Sequence, residues 1–203
     1  MSAVPDFMIA YVCIRTWLQP DWQSIVGVKW AAYLMIQEFL IVHASGFFSA
    51  VKVSDLPLGK KALSLVGLTA FYVLFSGGVS LALDSRAILW TMAGLCVNRM
   101  LGTLLGEAPK EDAKMFAMAN WAVSVVCYLF AVFLTIFAPV PPLGITEEVI
   151  RQQGFSGQGI WEAQPYRVVA ACVVYYAGVG VWQLLSAVWL SKTLRKPVKQ
   201  QVS

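Results

Sequence analysis

Residues 24–51 read SIVGVKWAAYLMIQEFLIVHASGFFSAV, and the reading of this stretch decides the fold. It is apolar over more than the roughly 20 residues that an α-helix needs to cross a hydrocarbon core, yet it holds Glu38 near its middle. A second charge, Arg99, lies inside another such stretch, residues 87–106. A charge stranded at that depth is costly, so it faces protein or water and marks either a helix-locking pair or a working site.

The rest of the chain fits the same setting. Of 203 residues, 59% are hydrophobic and 13% charged, with a mean hydropathy of +0.68, more apolar surface than one soluble core buries. The pattern predicts an all-α polytopic membrane protein, a single membrane domain over 1–203. Five transmembrane helices are expected, at 24–51, 62–83, 87–106, 119–138 and 168–190. The first is longer than needed and has Lys29 near its start, which predicts tilt or a protruding end. Asp84, Ser85 and Arg86 leave room only for a tight antiparallel hairpin between the second and third.

Orientation follows from Lys and Arg in the connections. Lys52, Lys60, Lys61, Lys110, Lys114, Lys192, Arg195, Lys196 and Lys199 flank one side; Arg15, Lys29, Arg86, Arg151 and Arg167 flank the other. This bias predicts a cytoplasmic C-terminus and, with five spans, an outer N-terminus. Trp17, Trp22, Trp30, Trp90 and Trp161 then form an outer aromatic belt, and Trp121 and Trp189 an inner one. The net charge of +4 is mostly this excess, a topology signal with some attraction for anionic lipid rather than a nucleic-acid surface.

Met1–Leu18 lacks a positive leader region and a small-residue cleavage pattern, and its apolar part is too short to span. Pro5 suits a helix start and Gln19-Pro20 an end, so residues 1–20 are expected to form an interfacial or protein-covered helix. Its face with Phe7, Ala10, Tyr11 and Ile14 would suit docking on another subunit. The outer connection 139–165 is long enough to be structured or functional. Within it Pro141-Pro142 stiffens the exit from the fourth span, Thr146 can cap a short helix from Glu147 to Gln153, and Gly154 can stop it. Phe155 and Trp161 follow as candidate contacts for a cap or a partner.

Taking midpoints near Glu38, Cys96 and Gly178, a rise of about 1.5 Å per residue puts Arg99 roughly 4 Å inward, and His43 and Gln183 roughly 7 Å inward. Asn98, Tyr175 and Tyr176 fall close to the same depth, giving one candidate polar layer of Glu38, His43, Asn98, Arg99, Tyr175, Tyr176 and Gln183. Glu38 with Arg99 would be a buried ion pair fixing helix packing, or part of a relay. Gly94, Asn98, Gly102 and Gly106 recur every fourth residue, a narrow stripe for close helix approach, and Glu38 shares a face with Ser45 and Ser49. His43, which shares its face with Gly46 and Ala50, is the sole histidine; a hydrogen-bonded packing role competes with proton carriage, and bis-His haem is excluded by number.

Cys13, Cys96, Cys127 and Cys172 stand singly and read as small buried hydrophobes. No phosphate loop, HExxH, GxSxG or kinase signature occurs, so no catalytic residue, metal ligand or cofactor is expected. Two functional expectations follow. One is a non-catalytic subunit or adaptor of a bacterial inner membrane, in contact with lipid and with a protein partner or second copy. The other is a small transporter, channel or proton-coupled component using Glu38, His43, Arg99 and Gln183.

Overall fold

The computed structural model describes residues 3–20, 27–82, 86–104, 111–152 and 159–194. Regular structure among them is helical: α1 (Val4–Leu18), α2 (Val28–Val53), α3 (Leu58–Ala82), α4 (Arg86–Leu104), α5 (Glu111–Phe137), α6 (Glu147–Gln152), α7 (Ile160–Ala163) and α8 (Tyr166–Leu194). Four helices, α2, α3, α5 and α8, are long and apolar enough to cross a membrane. The fifth expected span, α4, falls short of that standard. Its apolar run among the described residues is Ile88–Leu104, and Asn98 and Arg99 interrupt it.

The chain divides into two compact units, Lys29–Tyr128 and Met1–Val28 with Leu129–Ser203. In the first, α3 and α4 pack as a hairpin, and the core draws on every fourth residue of two helices: Leu40, Ala44 and Phe48 on α2, and Ile88, Met92 and Cys96 on α4. Leu65 and Tyr72, seven apart on α3, complete it. That spacing puts each set on one helical face. The outer faces are apolar too, with Leu63 74%, Leu74 76% and Leu81 86% exposed along α3. A face of this kind is suited to lipid rather than water. In lipid, burial of apolar area no longer drives helix association, so close packing and interhelical hydrogen bonds hold the bundle.

Two such bonds join α5 to α2. The Trp121 indole Nε1 donates to the Val42 carbonyl at 2.9 Å, and the Tyr128 hydroxyl donates to the Met35 carbonyl at 3.2 Å. The donors are seven residues apart and so are the acceptors, in reverse order, so the two helices run antiparallel with matched turns. Each acceptor is a helical carbonyl using its second lone pair.

In the other unit α1 packs along α8, burying Ala10, Cys13 and Thr16, every third residue of one face. At one end of α1 the Phe7 ring lies over Gly180, and Gln183 Nε2 donates to Asp6 Oδ2 at 2.8 Å. At the other end Trp17 Nε1 donates to the Pro141 carbonyl at 3.0 Å, and Gly144 N donates to the Trp17 carbonyl at 3.0 Å. Arg167, at the start of α8, bonds the Ala138 carbonyl just upstream of Pro141, so α1 runs antiparallel to α8. Residues 1–20 are expected as an interfacial or protein-covered helix with an outer N-terminus; α1 is covered by α8 along one face, and its Val4 end lies beside Gln183, toward the C-terminal end of α8.

The segment after α5 straps this pair. Leu143 takes φ 51°, a left-handed turn, and the Cβ that Gly144 lacks would fall within 2.9 Å of Pro20 Cδ and closer still to the Leu18 carbonyl oxygen. Only glycine fits there. The expected cap on α6 is present, Val149 N meeting Thr146 Oγ1 at 3.4 Å.

Candidate functional site

The expected polar layer is divided between the two units. Glu38, His43, Asn98 and Arg99 belong to one, and Tyr175, Tyr176 and Gln183 to the other.

The buried Glu38–Arg99 ion pair is not formed among the described residues, where Arg151 pairs with Glu148 one turn apart on exposed α6. Arg99 Nε is instead buried with no hydrogen-bond partner. Depth along two helices had matched these charges, but matching depth leaves the direction around each helix axis free. His43 is exposed, its Nδ1 2.9 Å from the Phe39 carbonyl one turn earlier and its ring centroid 4.0 Å from that of Phe39. Its polar contact is therefore met within its own helix. Asn98 is exposed on α4.

In the second unit Tyr175 and Tyr176 are buried, their rings edge to face at 4.9 Å. Gln183 meets Asp6 with its amide nitrogen, while its Oε1 is buried without a partner. Asp6 was not singled out from sequence, because a carboxylate in the first turn of a helix reads as dipole compensation.

The residues expected to pack helices separate in a similar way. Gly46, on the His43 face, lies under the Trp121 ring. At Gly94 and Gly102 a Cβ would meet nothing within 4 Å, so among the described residues nothing packs closely on the stripe at either position; Gly106 lies outside the described residues. Ser45 hydrogen-bonds the Ile41 carbonyl of its own helix, and Ser49 is exposed. Of the expected partner contacts, Phe7 and Ala10 are used against α8, whereas Tyr11 is 58% and Ile14 39% exposed. Trp161 is half-buried with its Nε1 unpartnered, and Phe155 lies outside the described residues.

Arg167, expected only as a topology charge, organises the end of the second unit where α5 finishes and α8 begins. Arg167 Nη1 donates to the carbonyls of Thr135, Ile136 and Ala138, at 3.2 Å for Ile136 and 3.1 Å for Ala138, while its Nε donates to Gln164 Oε1. The Tyr166 hydroxyl donates to the same Gln164 oxygen at 3.0 Å. The last turn of a helix leaves carbonyls unsatisfied, and a guanidinium presents several donors in a fixed fork. Beside this clamp lies an open cleft of about 430 Å³ lined by Pro142, Ile145, Thr146, Glu147, Ile150, Ala163, Gln164 and Tyr166.

All four cysteines are free, with Cys13, Cys96 and Cys172 buried, and no group of three metal-ligating side chains occurs among the described residues. The regular structure among the described residues is thus all-helical, with four helices long and apolar enough to cross a membrane. Compared with known proteins, it matches no family model, no curated protein and no solved structure.

Proposed function

We propose that this chain is a non-catalytic integral membrane subunit that meets a partner protein, or a second copy of itself, along the open face of α4. The observation that carries this reading is the face of Gly94, Asn98 and Gly102: four residues apart, all exposed, with no atom near either glycine Cβ position. An exposed carboxamide has four hydrogen-bonding positions that acyl chains cannot fill, and small residues on either side allow another backbone to come close. The α4 helix is about 28 Å long at 1.5 Å per residue, which makes it a fifth crossing segment in this reading. The α1 helix, at 15 residues too short to span, lies antiparallel along α8. The Lys and Arg bias then puts the start of α1 and the end of α8 on the cytoplasmic side, in a bacterial inner membrane.

A conducting route through Glu38, His43, Arg99 and Gln183 has less support, since His43 is exposed and bonded to its own helix. The test is a photo-crosslinking residue at position 98 in native membranes. The subunit reading expects one discrete adduct, either twice the chain mass or the chain plus one partner, lost on Gly94→Leu with Gly102→Leu. Adducts to lipid alone would overturn it.

A further inference from the structure

A separate feature of the α2–α4 unit points to a ligand. At one end of the unit three helix termini converge: Lys52 Nζ, from the last turn of α2, reaches the Gly102 carbonyl near the end of α4 at 3.2 Å, and Lys61 Nζ, from the first turn of α3, reaches the Lys52 carbonyl at 3.3 Å. Lys60, beside Lys61, is exposed. Each of the two bonded ammonium groups has three donors and uses one on a carbonyl, and among the described residues none of the three lysines is in an ion pair. Asp55, in the connection between α2 and α3, is exposed and is likewise outside any ion pair described. The first turn of α3 holds no acid, so Lys60 and Lys61 stand against a helix end that already carries partial positive charge. One turn before Gly102, the buried Nε of Arg99 lacks an acceptor. Cations held together in this way, at the end of helices with lipid-facing sides, leave N–H donors for an anion with several oxygens.

We propose that Lys52, Lys60 and Lys61 hold the phosphate of an anionic membrane lipid at this end of the unit. A lipid phosphodiester sits at the depth of a helix end, and its oxygens accept from separate ammonium groups at once. Basic pockets between helices recognise such headgroups, each lysine near the surface adding about fivefold in affinity. The site adjoins the α4 partner face at Gly102, whose carbonyl accepts from Lys52, but the proposal does not rest on that reading.

The test uses native mass spectrometry of the full chain released from detergent micelles. The micelles contain phosphatidylglycerol and phosphatidylcholine of the same acyl chains, with inorganic phosphate in a parallel arm. The wild-type protein is expected to retain one phosphatidylglycerol in preference to phosphatidylcholine. Lys52→Gln with Lys60→Gln and Lys61→Gln lowers that preference at least about tenfold, given about fivefold per lysine. Lys29→Gln with Arg86→Gln and Arg151→Gln, which removes equal charge elsewhere, keeps it. Lys60→Gln alone, at an exposed side chain, loses about fivefold and serves if the triple variant does not fold. Equal loss in the control set would overturn the site in favour of diffuse attraction. Displacement of the lipid by millimolar phosphate would overturn the lipid as its source. Glu107 lies in the sequence between α4 and α5, and Glu111 and Asp112 open α5. A preference that emerges only after these become amides would show the lysines already neutralised, and would also overturn the proposal.

Discussion

Trp121 donates its indole N–H to the Val42 carbonyl at 2.9 Å, and the same ring closes over Gly46 one turn further along α2. A Cβ at Gly46 would stand 2.8–2.9 Å from three indole atoms, inside van der Waals contact. Gly46→Ala therefore has to push the ring off Gly46 and lengthen the Val42 bond, an overpacking effect of about 1–3 kcal/mol. Trp121→Phe removes the bond, worth about 0.6–1.7 kcal/mol, together with the indole atoms that lie over Gly46. Because the two changes act on one contact, the double variant should cost less than their sum when unfolding is followed in bicelles. An additive result would detach the glycine from the ring.

Gly144 is the tightest backbone approach in the unit formed by α1 and α8, against the Leu18 carbonyl and Pro20. Backbone cannot move aside as a side-chain tip can, so Gly144→Ala should cost at least about 3 kcal/mol, the upper end of overpacking effects. Its signature is loss of the Trp17–Pro141 and Gly144–Trp17 bonds, read as new protease sensitivity between α1 and α2. A variant as resistant as wild type would mean that the strap is dispensable.

Arg167 gathers three carbonyls at the end of α5 into one guanidinium. Removing it leaves those acceptors half-buried without a donor, and a hydrogen bond to a charged group contributes about 1.5–3 kcal/mol. Arg167→Gln is expected to lower stability by that amount and to raise hydrogen exchange over the last turn of α5. Arg167→Lys should recover only part, because one ammonium cannot reproduce the fork. Full recovery by lysine would reduce the role to charge alone.

The helices were legible because their signal is one-dimensional. The expected spans at 24–51, 62–83 and 168–190 lie within a few residues of α2, α3 and α8 at each end, since apolar length is written directly in sequence. Side-chain partners were not legible to the same degree. Depth along the axis suggested Glu38 with Arg99, but azimuth and tilt, which decide contact, are set by packing between helices. The docking of α1 was hidden for another reason. Asp6 and Arg15 lower the apolar character of a 15-residue helix, while its real partner, α8, lies at the far end of the chain. Trp121 and Tyr128 were readable as a pair seven residues apart on one face, yet a tryptophan near a span end reads first as an interfacial anchor.

Asp6 and Gln183 give the clearest internal test of that docking, because each is the other's side-chain partner across α1 and α8. Gln183 Oε1 already lacks a partner, so Asp6→Leu leaves the whole amide unsatisfied in a half-buried seam. Stranding a buried polar group costs about 1–3 kcal/mol, whereas replacing both partners by apolar groups is close to neutral. Asp6→Leu and Gln183→Leu should each destabilise the protein, and the double variant should return most of the loss, giving a coupling energy of about 1 kcal/mol or more. Asp6→Asn keeps an acceptor for the Gln183 amide and should cost less than Asp6→Leu. If the two leucine variants add without coupling in the unfolding curve, α1 does not dock on α8 in this register, and the shared side of the Val4 end and the end of α8 goes with it.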